Sequence, residues 1–224
     1  KKYSAIRAKV DRLKTYDVKD AIAFLKANKF TKFDATAEIA FRLGVDPTKS
    51  DQAVRGTVTL PNGTGKTVRV LVFANGPAAD AARAAGADVV GYEDLIAKVA
   101  GGFTEFDVAV ATPDAMKEVR KLGKVLGPRG LMPNPKTGTV SDDTAAAVKA
   151  CKAGRVEFRM DRNGNVMVPF GKMSFEVAAL QGNCKAIIDG LNAARPAATK
   201  GIFIKRATIT STMGPGLRLD PRET

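Results

Sequence analysis

The 224-residue sequence predicts a chain of α/β and α+β type in two domains: an α+β domain formed by both chain ends, with an α/β domain inserted between them. Three observations predict this. The outer segments carry strands of period-two alternation. The middle carries continuous β-branched runs alternating with helical patterns, the mark of a parallel sheet. Charge divides at the same places. Residues 1–66 hold 14 basic and 7 acidic side chains, residues 67–154 hold 11 and 10, and residues 155–224 hold 11 and 6, so the flanks carry +12 of the net +13. The expected domains are therefore 1–66 with 155–224, and 67–154.

Along the chain, Asp17–Asn28 reads as a helix, with Asp17 as cap and Val18, Ile22 and Leu25 as an apolar stripe. Phe33–Gly44 alternates. Ala35, Ala37, Ile39, Phe41 and Leu43 share one side, with Phe33 at the rim, while Asp34, Thr36, Glu38, Ala40 and Arg42 share the other. The turn-rich run Asp46–Asp51 leads to a strand at Val54–Leu60 and a loop at Pro61–Gly65. Val68–Ala74 then reads as a strand buried on both faces. Helix Pro77–Ala85, strand Asp88–Val90, helix Tyr92–Val99, strand Asp107–Ala111 and a helix from Pro113 to about Leu122 follow. Gly123–Gly138 breaks the alternation as a long loop. Ser141–Ala153 is read as a helix capped by Ser141, with Asp142 and Asp143 in its first turn. Arg155–Asp161 and Asn165–Phe170 flank Asn163-Gly164, which predicts a hairpin. A helix over Ser174–Arg195, interrupted by Gly182 and Gly190 and ended by Pro196, precedes a last strand at Ile202–Thr212.

Composition narrows the chemistry. An excess of 36 Lys+Arg over 23 Asp+Glu predicts a polyanionic partner, nucleic acid before membrane. There are no histidines, which removes Ser-His-Asp and Cys-His catalysis and His-ligated zinc. Cys151 and Cys184 make neither a zinc cluster nor a disulfide scaffold, and fit a reduced cytoplasm. The apolar runs are of strand length, so no membrane span is expected. The chain begins at Lys1-Lys2-Tyr3 without methionine, as expected of a chain missing a short leader.

Several motifs weigh against or toward a function. Gly65-Lys66-Thr67 ends like a phosphate-binding loop, but Leu60 stands where the first glycine is needed and a strand follows instead of a helix. A glycine hinge is the preferred reading. Asn75-Gly76-Pro77 lacks the three glycines of a dinucleotide fingerprint. Asp161, Asn163 and Asn165 begin like a calcium loop, but no closing Glu follows, and a hairpin explains them. Gly123–Val140 packs four glycines, three prolines and the charges of Lys124, Arg129 and Lys136 into eighteen residues, a candidate contact loop. Thr210–Gly216 ends the last strand with hydroxyls and freed amides suited to phosphates and sugar hydroxyls, while a strand end with a core methionine is the plainer alternative. A nucleotide-binding α/β enzyme remains the alternative to an RNA-binding protein, and a DNA-binding protein lacks a helix-turn-helix to support it.

The run Leu126–Val140, Leu-Gly-Pro-Arg-Gly-Leu-Met-Pro-Asn-Pro-Lys-Thr-Gly-Thr-Val, resembles the signature of the ribosomal protein L1 family, in its bacterial form. Lys32–Thr36, Asp51–Thr57, Gly154–Arg159 and Thr212–Pro215 support the resemblance along essentially the whole chain. The resemblance implies a Rossmann-like three-layer inserted domain and no catalysis, no cofactor, no metal and no small-molecule substrate. It implies binding to 23S rRNA of the large ribosomal subunit at the mobile stalk, contact with exit-site tRNA, and repression of the protein's own mRNA. Carried onto matching positions, its RNA site comprises Lys32, Phe33, Thr36 and Glu38 on the first strand, and Lys49 and Ser50 in the following turn. Arg159 and Asp161 on the hairpin and Ser211, Thr212, Met213 and Gly214 at the last strand end complete it. In that reading Lys32, Lys49 and Arg159 neutralise phosphates. Thr36, Thr212 and the Gly214 amide bond hydroxyls or phosphates, and Phe33 and Met213 supply apolar contact. Glu38 and Asp161 either accept from ribose or base donors or orient the basic residues.

Overall fold

The computed structural model describes residues 2–11 and 13–220. The Lys136 side chain, counted above among the loop charges, lies outside the description. Before Gly65 the chain forms α1 (Lys2–Arg7), α2 (Val18–Ala27), β1 (Thr36–Leu43) and β2 (Arg55–Thr59). It continues through β3 (Val70–Phe73), α3 (Pro77–Ala84), β4 (Val89–Gly91), α4 (Glu93–Ala100), β5 (Val108–Ala111), α5 (Met116–Val119), α6 (Gly123–Leu126) and α7 (Thr144–Lys152). It ends with β6 (Arg155–Arg159), β7 (Asn165–Lys172), α8 (Val177–Ala193), β8 (Ile204–Ser211) and β9 (Leu217–Arg218). The chain divides into two units, Lys1–Gly65 with Gly154–Thr224, and Lys66–Ala153.

In the first unit an antiparallel sheet has the order β7-β1-β8-β9. Alternation along β1 sends Ala37, Ile39, Phe41 and Leu43 to one face, where they are buried. Val166, Val168 and Phe170 of β7 join them, as do Ala207 and Ile209 of β8. The cover is α2, through Ala21, Ile22 and Leu25, and α8, through Leu180, Cys184, Ile187 and Leu191. The opposite face carries Thr36, Glu38, Ala40 and Arg42, which are half-buried or exposed. Pro169 is tolerated inside β7 because β7 is an edge strand. Strands β2 and β6 form a separate two-stranded sheet against α8. Gly190 in α8 permits that approach, since a Cβ there would lie 2.3 Å from Cγ2 of Val58. The helix runs unbroken through Gly182 and Gly190 because its buried face, not local propensity, holds it.

The second unit is a parallel sheet of order β4-β3-β5 between two helical layers. Every residue of β3 is buried. Leu71 and Phe73 face Leu95, Val99, Val119, Leu122 and Leu126, whereas Val70 and Val72 face Ala79, Ala82, Ala147, Val148 and Cys151. A strand needs such a continuous apolar run when both of its faces are covered.

Four expectations are corrected. The Asn163-Gly164 turn is present, but β6 pairs with β2 while β7 pairs with β1, so the two strands enter different sheets. The Ser141 cap is displaced: Asp143 is the N-cap, and its carboxylate accepts from the Ala146 amide at 2.9 Å. The helix after Pro113 is broken into α5, a 3₁₀ turn at Arg120–Leu122, and α6. Consequently the loop expected from Gly123 begins as helix, and it buries Leu126 and packs Leu131 and Met132 on the core. Thr139 ties the loop together by accepting from the Asn134 amide at 2.8 Å.

Candidate nucleic-acid interface

The start of β1 meets the end of β8. The Thr36 amide donates to the Thr212 hydroxyl at 3.1 Å, and the Thr212 amide donates back to the Thr36 carbonyl at 3.0 Å. Lys172, at the end of β7 and directly opposite Thr36, donates its Nζ to Thr36 Oγ1 at 2.9 Å. That hydroxyl therefore keeps its own hydrogen free to donate outward. Asp34 accepts from the amide and hydroxyl of Ser174, at 3.0 and 2.7 Å, which ties the segment before β1 to the turn after β7.

Around this pairing stand Lys32, exposed, and Phe33, 53% exposed. Ser211 ends β8, and its carbonyl accepts from the Gly214 amide at 2.7 Å. The turn so closed holds Met213 at φ 66°, the only described non-glycine residue with positive φ. Met213 is 66% exposed, so this side chain is not core. A left-handed conformation in a non-glycine residue stores backbone strain, here at a mostly exposed side chain. A Cβ on Gly214 would lie 2.3 Å from Ser211 Oγ, which explains the glycine by close approach. Glu38 lies two residues further along the same open face, opposite Thr210. The Gly214 amide donates inside this turn.

The other four residues lie at the far end of β1. Arg42 pairs with Asn165, where β7 begins, and Thr36 with Lys172, where β7 ends. Six residues of strand, at ~3.3 Å each, separate the ends by about 20 Å. Lys49 and Ser50 are exposed and enter a 3₁₀ turn after β1. Asp46 builds that loop, accepting from the Thr48 hydroxyl at 2.7 Å and amide at 3.0 Å. These two bonds hold the Asp46 carboxyl below its ordinary range. Arg159 is exposed at the end of β6. Asp161 accepts from the Asn163 and Asn165 amides, both at 2.8 Å, and from the Asn165 side chain at 3.0 Å. Bonds from the Asn165 amide and side chain, then the Asn163 amide and the Arg42 charge, depress its pKa. Asp161 is thus the organiser of the turn. The twelve sequence-derived positions form two clusters: eight around the Thr36–Thr212 pairing and four at the opposite end.

Sequence reasoning passed over Lys172, Asp34 as a clamp, and the left-handed Met213. Period-two counting on from buried Phe170 puts Lys172 on the core face; the register shift between Ala37 and Glu38 instead brings it opposite Thr36, and nothing local marks φ at Met213. In the second unit, Lys66 ion-pairs with Asp107 at 2.6 Å and no helix follows it, so Gly65-Lys66-Thr67 is no phosphate loop. Among the described residues no cluster of three His, Cys, Asp or Glu could hold a metal ion, and no helix is long and apolar enough to cross a membrane.

Comparison with known proteins agrees with the resemblance. The chain is 56% identical over 220 residues to the large ribosomal subunit protein uL1 of Methylobacillus flagellatus, covering 98% of this chain and 96% of that protein. It is 58% identical over 221 residues to the large ribosomal subunit protein uL1 of Bifidobacterium longum subsp. infantis, covering 99% and 96%. The pattern of the Ribosomal protein L1p/L10e family matches residues 25–215. With the match extending over nearly all of both units, the chain belongs to the Ribosomal protein L1p/L10e family.

Proposed function

We propose that the chain is a non-catalytic protein of the large ribosomal subunit. In this reading its first unit binds 23S rRNA at the mobile stalk, the protein contacts exit-site tRNA, and the same RNA surface binds its own mRNA to repress translation. Family membership and the names of its relatives support the ribosomal role. The observation that carries the RNA site is the Thr36–Thr212 pairing, flanked by exposed Phe33 and by Met213 held left-handed.

The chemistry divides among these groups. Lys32 and Lys172 place positive charge beside a sugar–phosphate chain. Thr36 donates through the hydroxyl hydrogen left free by Lys172, and a 2′-hydroxyl is a fitting acceptor. Phe33 and Met213 give apolar surface for a base or ribose face. Glu38 accepts from a ribose or base donor. Lys49 and Arg159 contact phosphates at the far end, with Ser50 beside them, while Asp161 keeps that end in shape.

The test is affinity for a large-subunit stalk rRNA fragment over a salt series, with unrelated duplex RNA as control. Wild type is compared with Thr212→Ala and Met213→Ala. The expected result is selective binding, weakened about tenfold or more by each substitution, with little change in salt slope. Equal binding of all RNAs, unmoved by either substitution, would reduce the interaction to charge attraction and remove the site.

A further inference from the structure

We propose that the face of the β7-β1-β8-β9 sheet opposite its helices α2 and α8 is a phosphate-binding lane joining the two clusters into one RNA track, with Arg206 and Arg218 as its anion contacts and Met167 as its apolar surface. The proposal rests on the RNA reading above and assigns residues which that reading leaves out.

The register places these groups together. On the open face Ala40 of β1 sits opposite Met167 of β7 and Thr208 of β8. In the same row Thr208 faces Arg218, and two residues further along β1 Arg42 faces Arg206 directly. The groups line a shallow open depression of about 590 Å³ between Met167 and Arg206, continued by a smaller one beside Arg218.

One feature of this face runs against the stability of an isolated protein, and a second leaves apolar surface in water. Like charges directly opposed across strands repel, and Arg42 with Arg206 is such a pair. Arg42 is partly answered by Asn165 Oδ1 at 3.3 Å and by the nearby Asp161 charge. Arg206 and Arg218 have no ion-pair partner among the described residues. Asp11 lines the smaller depression, and its carboxylate accepts from the Leu13 amide. The second feature is Met167, 65% exposed in the middle of a sheet face otherwise polar or small. An anion between the arginines and a sugar or base edge on the methionine would satisfy both. The lane lies along the ~20 Å between the two clusters, so one RNA strand crossing from Thr212 to Asp161 passes over it. Its shallow form suits a sugar–phosphate chain better than a folded acidic protein.

The experiment uses the full chain and the stalk rRNA fragment over a salt series. Variants are Arg206→Gln with Arg218→Gln, Met167→Glu, and Arg206→Lys as the charge-keeping control. All alter exposed side chains, and thermal melting verifies each fold. The double variant is expected to lose about two units of salt slope and to bind about tenfold or more weakly, with selectivity over duplex RNA kept. Met167→Glu should weaken binding as well, and Arg206→Lys should keep the slope. If affinity and slope stay at wild-type values in the double variant and Met167→Glu, while Thr212→Ala still weakens binding, the lane is overturned and the site reading stands. If wild type binds stalk and control RNA alike, yet the arginine variant lowers the slope, the site reading fails and the lane survives as a general anion surface. No RNA binding by wild type overturns both.

Discussion

Thr36 and Thr212, 176 positions apart in the chain, hold each other by reciprocal bonds. The amide of Thr36 donates to the hydroxyl of Thr212, and the amide of Thr212 donates to the carbonyl of Thr36. The hydroxyl thereby extends the β1–β8 ladder by one rung beyond its last strand residue. Thr212→Ala is expected to strip the Thr36 amide of its partner and cost about 1 kcal/mol of stability in denaturant unfolding. Thr212→Ser keeps the hydroxyl and should unfold like wild type. An alanine variant as stable as the serine variant would show that solvent replaces the bond at no cost.

Met213 sits at φ 66° with most of its side chain in solvent. Glycine adopts this conformation without steric cost. Met213→Gly should therefore raise stability by about 1 kcal/mol while weakening stalk RNA binding. The two readouts moving in opposite directions is the expected signature. A glycine variant that binds RNA like wild type would mean that only the backbone of this turn matters.

Asp107 draws together the entry to the second unit. Its carboxylate accepts from Lys66 Nζ at 2.6 Å, the Arg69 amide at 3.1 Å and Arg69 Nε at 3.4 Å. The Lys66 bond, then the Arg69 amide, holds its pKa below the ordinary carboxylate value. A depressed folded-state pKa stabilises the fold above the unfolded value near 4, and this contribution is lost as pH falls through the folded value. Asp107→Asn should be less stable than wild type by roughly 1 kcal/mol at pH 7, after screening at this partly exposed site. The difference should shrink as pH falls below about 4. Unfolding curves of both proteins from pH 7 to pH 2.5 test this, and a gap independent of pH would assign it to packing.

Gly190 lets α8 lie against β2, and an added methyl would meet Val58. Gly190→Ala gains about 1 kcal/mol of helix propensity but incurs overpacking of about 1–3 kcal/mol, so net destabilisation is expected. Adding Val58→Ala should recover part of the loss. Additive costs in the double variant would show that the two groups do not clash.

Much of this molecule is legible in local pattern. The alternation from Ala35 to Leu43 determined β1 and, with it, that Thr36, Glu38 and Arg42 share an open face. The unbroken run Val70–Phe73 determined a strand buried between two layers, because only a doubly covered strand can afford no polar face. Asn163-Gly164 determined a turn but not the partners of its strands, since a turn constrains four residues and a ladder is chosen by which faces can be buried. The helix caps shifted by two residues at Ser141 because Ser and Asp are both competent caps and packing of α7 selects between them. Tertiary structure alone decided that Lys172 reaches Thr36, that Gly214 spends its amide in a turn, and that Arg42 faces Arg206. These relations join residues far apart in the chain. Their geometry follows from strand register, and register is set by the burial of whole faces, which no short stretch of sequence contains.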